Sequence, residues 1–378
     1  IGIAMKKIIC IDGSPLCGNL TGIGYITKNM ITHVANANQD CEFIVFTPYE
    51  IKEFNEKNIT VNPFSGTFKK NHRFGWRIFW FDFILPDLVR KSKPSIFWAL
   101  DGVAPFRLKK SIDVALWVYD FVFYFYPQTM NFFPRLYRKL NFKYWGPKAK
   151  WRFCITHSVA TEMKEIFHLS CDDITYPGVS KDFFVSRKFN SALENQYFIV
   201  LGTLEPRKNI KQLTRVISSM VQDGIWPSRF SIKFIGAKGW KNDHFQNLFS
   251  DLQKIGVIEV LDYIPRSEVI SLLSGAKALL MPSLYEGFGM PVAESLAAGC
   301  PVICSDIKPF REIDRSNECI FHTFDDQNIK SVYEKILNGE IKLPMVAKKS
   351  GLWEFDWEIS ASKFSSKAVS YTHLTLPT

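Results

Sequence analysis

Two glutamates separated by seven residues, Glu286 and Glu294, flank a Gly-Phe-Gly turn in the otherwise apolar stretch LYEGFGMPVAESLAAGCPVI. The preceding KALLMPS has the composition of a buried strand, and Pro291 stands where a helix accepts proline, in its first turn. On that reading Glu286 lies in the strand-to-helix loop and Glu294 in the first helical turn. Gly287 and Gly289, on either side of Phe288, free the backbone to present N–H groups as far as Met290, and the helix start adds partial positive charge. Such a turn suits a ligand with both hydroxyls and anionic oxygens, because carboxylates accept hydrogen bonds from hydroxyls while amides hold phosphate. Glutamates also favour helix N-termini for purely structural reasons, but that purpose alone does not account for an apolar loop between two glycines.

A second stretch with chemical potential is LGTLEPRKN, which follows a strand, opens with Gly202 and delivers Arg207 and Lys208 just ahead of a helix. Cations at the mouth of a strand-to-helix loop match a diphosphate. The alternative is a solvated helix start.

The elements that position these loops read as α/β. After a polar stretch, SRKFNSALENQ (residues 186–196), the chain runs through strand YFIVLGT, helix NIKQLTRVISSMV, strands SIKFIGA and IEVLDYI, helix RSEVISLLSGA, strand KALLMPS, helix PVAESLAAG and strand PVICSD. Strands alternating with helices point to a parallel, helix-covered sheet. The first half repeats the type: KKIICIDGS, then a glycine-rich turn into helix GIGYITKNMITHVAN with Ile26, Met30 and Val34 on one face, then strands EFIVFTP, SIFWAL, DVALWVYD and KWRFCITHS. At 378 residues the chain exceeds what one core usually organises. The expected division is 5–187, 188–355, a last helix at 356–369 crossing back to the first domain, and residues 370–378 as a non-native tail. The four residues before Met5 are read the same way.

Eight cysteines without a CxxC pair fit free thiols in a reduced, cytoplasmic setting better than a disulfide framework or a zinc site. The net charge of +10 is uneven: residues 1–187 carry 25 basic against 16 acidic side chains, and residues 188–378 carry 22 against 21. Between Phe121 and Thr161 there is no acidic residue, while Arg135, Arg138, Lys139, Lys143, Lys148, Lys150 and Arg152 interleave with Phe, Tyr and Trp. No run has the length and apolarity of a spanning helix. Aromatic residues at this density either fill a core or, with lysines between them, settle on an anionic membrane surface; peripheral membrane contact is the favoured reading. No nucleic-acid-binding module is recognisable.

Together the two loop motifs resemble glycosyltransferase family 4, retaining enzymes of the GT-B fold that use nucleotide-sugar donors, over most of residues 5–367. The resemblance implies two Rossmann-like domains with parallel sheets facing across a cleft, donor mainly in the second and acceptor mainly in the first. It gives Glu286 the hydroxyls of the donor sugar, Glu294 the ribose, and the backbone of Gly287, Phe288, Gly289 and Met290 the sugar. Arg207 and Lys208 would hold the diphosphate, with Thr203 where many relatives place a first basic residue. NLTGIGYIT resembles the family's glycine-rich loop and nominates Gly22 and Gly24; WVYD places Asp120 where relatives often read His-Asp, a position for orienting the acceptor or accepting its proton.

The implied reaction moves a hexose, mannose favoured and GDP-mannose the favoured donor, to a saccharide acceptor, lipid-linked, in surface polysaccharide synthesis. It needs no cofactor, and the chain shows no DxD-type metal motif. A GT-B sugar-nucleotide epimerase and a non-catalytic membrane-associated assembly subunit are the alternatives. A dinucleotide-dependent oxidoreductase fits less well, since the glycines after IICIDGS do not fall as GxGxxG.

Overall fold

The structure, a computed structural model, describes residues 6–18, 20, 22–52, 54–64, 74–184, 196–202, 205–236, 243–262, 264–346, 352 and 354–370. Two compact units divide the chain, one formed by residues 1–178 with 355–378 and the other by residues 179–354. The polar stretch read as a linker lies almost wholly outside the described residues, as do Met5 with the residues before it and the tail from 371 onward.

Among the described residues the first unit is built on a parallel sheet of seven strands: β1 (Lys7–Asp12), β2 (Cys41–Thr47), β3 (Ile59–Pro63), β4 (Ile96–Ala99), β5 (Asp113–Val118), β6 (Trp151–Cys154) and β7 (Asp173–Ile174). Their order is β3-β2-β1-β4-β5-β6-β7. The central strands are near-continuous apolar runs because helices cover both faces of such a sheet; Ile9, Cys10, Ile11, Phe97, Trp98, Leu116 and Trp117 are fully closed to solvent. Helix α1 (Gly22–Ala37) buries Ile26, Met30 and Val34 as their spacing requires. There follow α2 (Phe74–Phe79), a π-helical turn over Trp80–Ile84, α3 (Leu85–Ser92), the short α4 (Val122–Phe125), α5 (Phe132–Lys148) and α6 (His157–Phe167). Asp82, buried in the π turn, accepts from Phe106 N–H at 2.7 Å and from Tyr137 O–H at 2.8 Å, which fastens that turn to α5.

The described residues of the second unit form six parallel strands: β8 (Tyr197–Leu201), β9 (Ser231–Ile235), β10 (Ile258–Leu261), β11 (Leu279–Met281), β12 (Val302–Ser305) and β13 (Cys319–His322), in the order β10-β9-β8-β11-β12-β13. Its helices are α7 (Ile210–Gln222), α8 (Asp243–Lys254), α9 (Arg266–Gly275), α10 (Met290–Ala297), α11 (Lys308–Ile313) and α12 (Asp326–Leu337). One core joins Leu213, Ile217 and Met220 of α7 to Ile232 and Phe234 of β9, Leu280 of β11 and Ile329 of α12.

The last helix, α13 (Trp357–Phe364), belongs to the first unit. Trp357 lies against Gly178, where a Cβ would come within 2.5 Å of the indole, and Phe364 stacks on Trp98 with ring centroids 4.0 Å apart. Among the described residues no helix is long and apolar enough to cross a membrane.

Candidate active site

In the second unit the order of strands reverses direction at the β8–β11 pair, with β9 and β10 running outward on one side and β12 and β13 on the other. In open parallel sheets the crevice outside the carboxyl ends of such a strand pair is where ligands bind. Both sequence motifs leave the sheet there. After β8 the chain makes a 3₁₀ turn over Pro206–Lys208 and passes through Asn209, left-handed at φ 58°, into α7. After β11 it runs through Ser283 to Glu286, and the loops join where Leu284 N–H donates to the Arg207 carbonyl at 2.8 Å. Ser305 at the end of β12 holds the second loop from behind, its Oγ donating to the Ser283 carbonyl at 2.6 Å.

The join closes on Glu286, which is 6% exposed. Arg207 Nη1 donates to its Oε2 at 2.6 Å; Lys208 Nζ and Ser283 Oγ donate to its Oε1 at 2.5 and 2.9 Å. Burial pushes this carboxyl upward, but the charges of Arg207 and Lys208 and the hydrogen bonds to it outweigh burial and hold it at about 2. Glu286 is therefore an ionised acceptor of hydrogen bonds at neutral pH and has no proton to give. Toward solvent, Glu205 takes Arg207 Nε at 2.9 Å, so the guanidinium is spread between a buried and a half-exposed carboxylate.

Gly289 caps the start of α10 at φ 114°, a conformation L side chains rarely adopt, and a Cβ there would lie 2.6 Å from Phe310 Cε1 on α11. The glycine thus lets the turn be tight and lets α11 pack beneath it. Pro291 stands in the first turn of α10 as the sequence reading places it. Glu294 is one residue further on than that reading has it: α10 starts at Met290, so Glu294 is the fifth residue and sits beyond the first turn. Its carboxylate answers Arg266 of α9, Nη2 to Oε1 at 2.7 Å, and the same guanidinium lies over the Phe183 ring at 4.5 Å. Burial raises the Glu294 carboxyl against the opposing charge of Arg266.

The structure thus brings Arg207, Lys208 and Glu286 into one ionic cluster, with Gly287, Phe288, Gly289 and Met290 continuing the same loop; Glu294 has a separate partner. Thr203 lies outside the described residues. In the first unit Gly22 and Gly24 are the first residues of α1 rather than members of a loop. Gly24 is buried, and a Cβ on it would stand 2.4 Å from the Pro15 carbonyl oxygen, so its smallness is a packing requirement. Asp120 follows β5 and its Oδ1 accepts from Val122 N–H at 3.1 Å. Sequence reasoning missed Ser283, Glu205 and Arg266. Ser283 and Glu205 sit within the quoted motifs and were open to inspection; Arg266, 28 positions before Glu294 on another helix, gave no local signal.

Residues 182–351 match the family model described as Glycosyl transferases group 1. O-antigen chain mannosyltransferase B of Escherichia coli is 32% identical over 129 residues, which are 34% of this chain and 33% of that protein, so the match spans about a third of the relative. An O-antigen chain mannosyltransferase of Salmonella typhimurium is 22% identical over 263 residues, 69% of this chain and 70% of that one. Among solved structures, sucrose-phosphate synthase from Thermosynechococcus elongatus superposes with a TM-score of 0.75 at 13% identity, covering 98% of this chain and 100% of the other. The match to the group 1 glycosyltransferase model covers almost all of the second unit, and the two parallel-sheet, Rossmann-like units have the GT-B fold.

Proposed function

We propose that this protein transfers a hexose, mannose first, from a nucleoside diphosphate sugar to a saccharide acceptor in surface polysaccharide synthesis, with retention at the anomeric carbon as in glycosyltransferase family 4. The observation that carries the proposal is the buried Arg207–Glu286–Lys208 cluster at the β8–β11 strand ends. Two cations there meet the diphosphate, and an ionised carboxylate between them accepts from sugar hydroxyls. Mannose is favoured because both relatives described above are named mannosyltransferases.

Both oxygens of Glu286 are engaged by Arg207, Lys208 and Ser283, which leaves it poorly placed as a covalent nucleophile. The reaction is therefore read as a front-face exchange. The bond from the anomeric carbon to the diphosphate oxygen breaks, the acceptor oxygen bonds to the same face, and the acceptor proton passes to the departing phosphate oxygen. Arg207 and Lys208 stabilise the negative charge that develops on that oxygen, the kind of electrostatic contribution worth roughly 3–4 kcal/mol per donor. Asp120 orients the acceptor hydroxyl.

A lipid-linked acceptor at the inner face of the cytoplasmic membrane is favoured by the surface of the first unit. Phe132, Phe133, Leu136 and Leu140 are exposed along one face of α5, shared with exposed Lys139 and Lys143, and Phe79 and Phe83 are exposed on α2 and the π turn that Asp82 fastens to α5. Such a mixture suits anionic headgroups.

The test is binding and transfer with purified protein against GDP-mannose, UDP-glucose, UDP-N-acetylglucosamine and dTDP-rhamnose. GDP-mannose is expected to raise the melting temperature and Glu294→Ala to weaken that effect. If no nucleotide sugar binds, or Glu294→Ala binds as the wild type does, the site assignment fails. Donor isomerisation without acceptor would indicate an epimerase, and unchanged polysaccharide in cells carrying Glu286→Ala would indicate an assembly subunit.

A further inference from the structure

The first unit has its own strand-order reversal, at the β1–β4 pair, and a cavity of about 160 Å³ opens beside it. Asp12 is the last residue of β1 and Asp101 comes two residues after β4; both are 7% exposed and both line the cavity. Arg77 of α2 reaches Asp101 Oδ2 at 2.8 Å, and Arg138 of α5 reaches Asp101 Oδ1 and Oδ2 at 3.3 and 3.4 Å and its carbonyl at 3.2 Å. Asp12 is fixed by Ser14 Oγ at 2.6 Å and by Trp80 Nε1 at 3.1 Å. The remaining wall is formed by Ile78, Phe81, Val103 and Pro134 together with Tyr137, whose hydroxyl donates to Asp82.

Charge and size together decide what such a cavity takes. Its two carboxylates and two guanidiniums cancel, so neither an anion nor a cation gains from entering. What gains is a neutral group that donates to the carboxylates and accepts from the guanidiniums at once, which a ring of hydroxyls does. Its volume is well below the roughly 300–1,000 Å³ of sites that hold drug-sized ligands, which suits one small ring and not a chain. A pyranose also has C–H faces to lay on the apolar wall. Arg138, held charged by Asp101 against the cost of burial, is also stabilised by Asp120, which puts the proposed acceptor-orienting carboxylate in the electrostatic reach of the same cavity.

We propose that the cavity between Asp12, Arg77, Asp101 and Arg138 binds one neutral hexopyranose unit, the sugar of the acceptor nearest the reacting hydroxyl. The cavity assignment stands on its own lining; the role as acceptor subsite rests on the glycosyltransferase reading. Ligand-observed saturation-transfer NMR on the full chain, without nucleotide sugar, tests it with methyl α-mannopyranoside and methyl β-galactopyranoside as probes. At least one glycoside is expected to show transfer that falls at least fivefold in Arg77→Ala, whose side chain is 55% exposed, and in Ile78→Trp, which fills the cavity from its half-buried rim and keeps every charge.

Inorganic phosphate is expected to leave the glycoside signal unchanged; displacement by phosphate would show an anion site and overturn the proposal. Natively melting Arg77→Ala and Ile78→Trp proteins that both keep the full signal would also overturn it, as would a wild-type protein that binds neither glycoside. GDP thermal shifts on the same samples separate the two readings. Glycoside binding without any nucleotide binding sinks the donor assignment and leaves the cavity; nucleotide binding without glycoside binding does the reverse.

Discussion

Lys208 Nζ lies 2.5 Å from Glu286 Oε1, and the two side chains are 11% and 7% exposed. Removing one partner of a buried pair leaves a charge without compensation, which costs about 3–5 kcal/mol. Lys208→Met is expected near the low end of that range, because Arg207 still reaches the carboxylate. A urea unfolding series checks this, and calorimetry on the folded variant should show at least a tenfold loss in GDP affinity. Unchanged stability would mean the pair is open to water in solution.

Glu286→Gln separates the two duties of the cluster. The amide keeps the shape, while both cations lose the carboxylate that now occupies them. Nucleoside diphosphate affinity is expected to hold or rise, and sugar transfer to fall about 100-fold or more. A parallel loss of GDP binding and transfer would place Glu286 on the nucleotide and not on the sugar.

Acid should expose the same cluster. The Glu286 carboxyl is depressed in the fold from its ordinary 4.5 to about 2, so its contribution is fully present above pH 4.5 and is lost as the pH falls toward 2. The denaturation midpoint of the wild type should drop through that window more steeply than that of Glu286→Gln. Coincident slopes would refute a depressed carboxyl.

Gly289→Ala meets two obstacles at once, a left-handed φ of 114° and a Cβ 2.6 Å from Phe310 Cε1. Backbone strain of this kind costs of order 1–3 kcal/mol. Adding Phe310→Leu relieves only the contact, so the double variant is expected to recover part of the lost melting temperature. Full recovery would show that the steric clash alone matters.

Removing Lys139 and Lys143 together, as Ala variants, should weaken binding to vesicles rich in phosphatidylglycerol by about 2 kcal/mol, or roughly 30-fold, at about 1 kcal/mol for each cation near the surface. Sedimentation with neutral vesicles should change little. Equal loss on both vesicle types would point to the exposed aromatic residues as the whole of the attraction.

Much of this architecture was legible because parallel strands announce themselves as unbroken apolar runs, and α1 because Ile26, Met30 and Val34 share its buried face. The runs read from the sequence omit β3, β7 and β13. β3 is an edge strand, only half-buried and ending in Pro63, and β7 has two residues; neither carries enough apolar pattern to be seen. The motif residues Arg207, Lys208 and Glu286 were legible as chemistry, but their contact joins positions 78 and 79 residues apart and is written only in the β8–β11 pairing. The sequence reading puts Glu294 one residue too early in its helix, because Pro291 suggests a helix start without fixing which residue begins it. The cavity residues Asp12 and Asp101 had no motif at all, since each reads simply as the end of a strand.

The stacking of Phe364 on Trp98, with Trp357 against Gly178, has a consequence for how the molecule is made. Trp98 lies at the centre of the first sheet, yet the ring that covers it follows the whole of the second unit in the chain. The first unit must wait, partly unsealed, while all of the second is synthesised. A nascent chain stalled after Glu354 should therefore present an open aromatic surface to chaperones, and emergence of α13 should be the event that closes it.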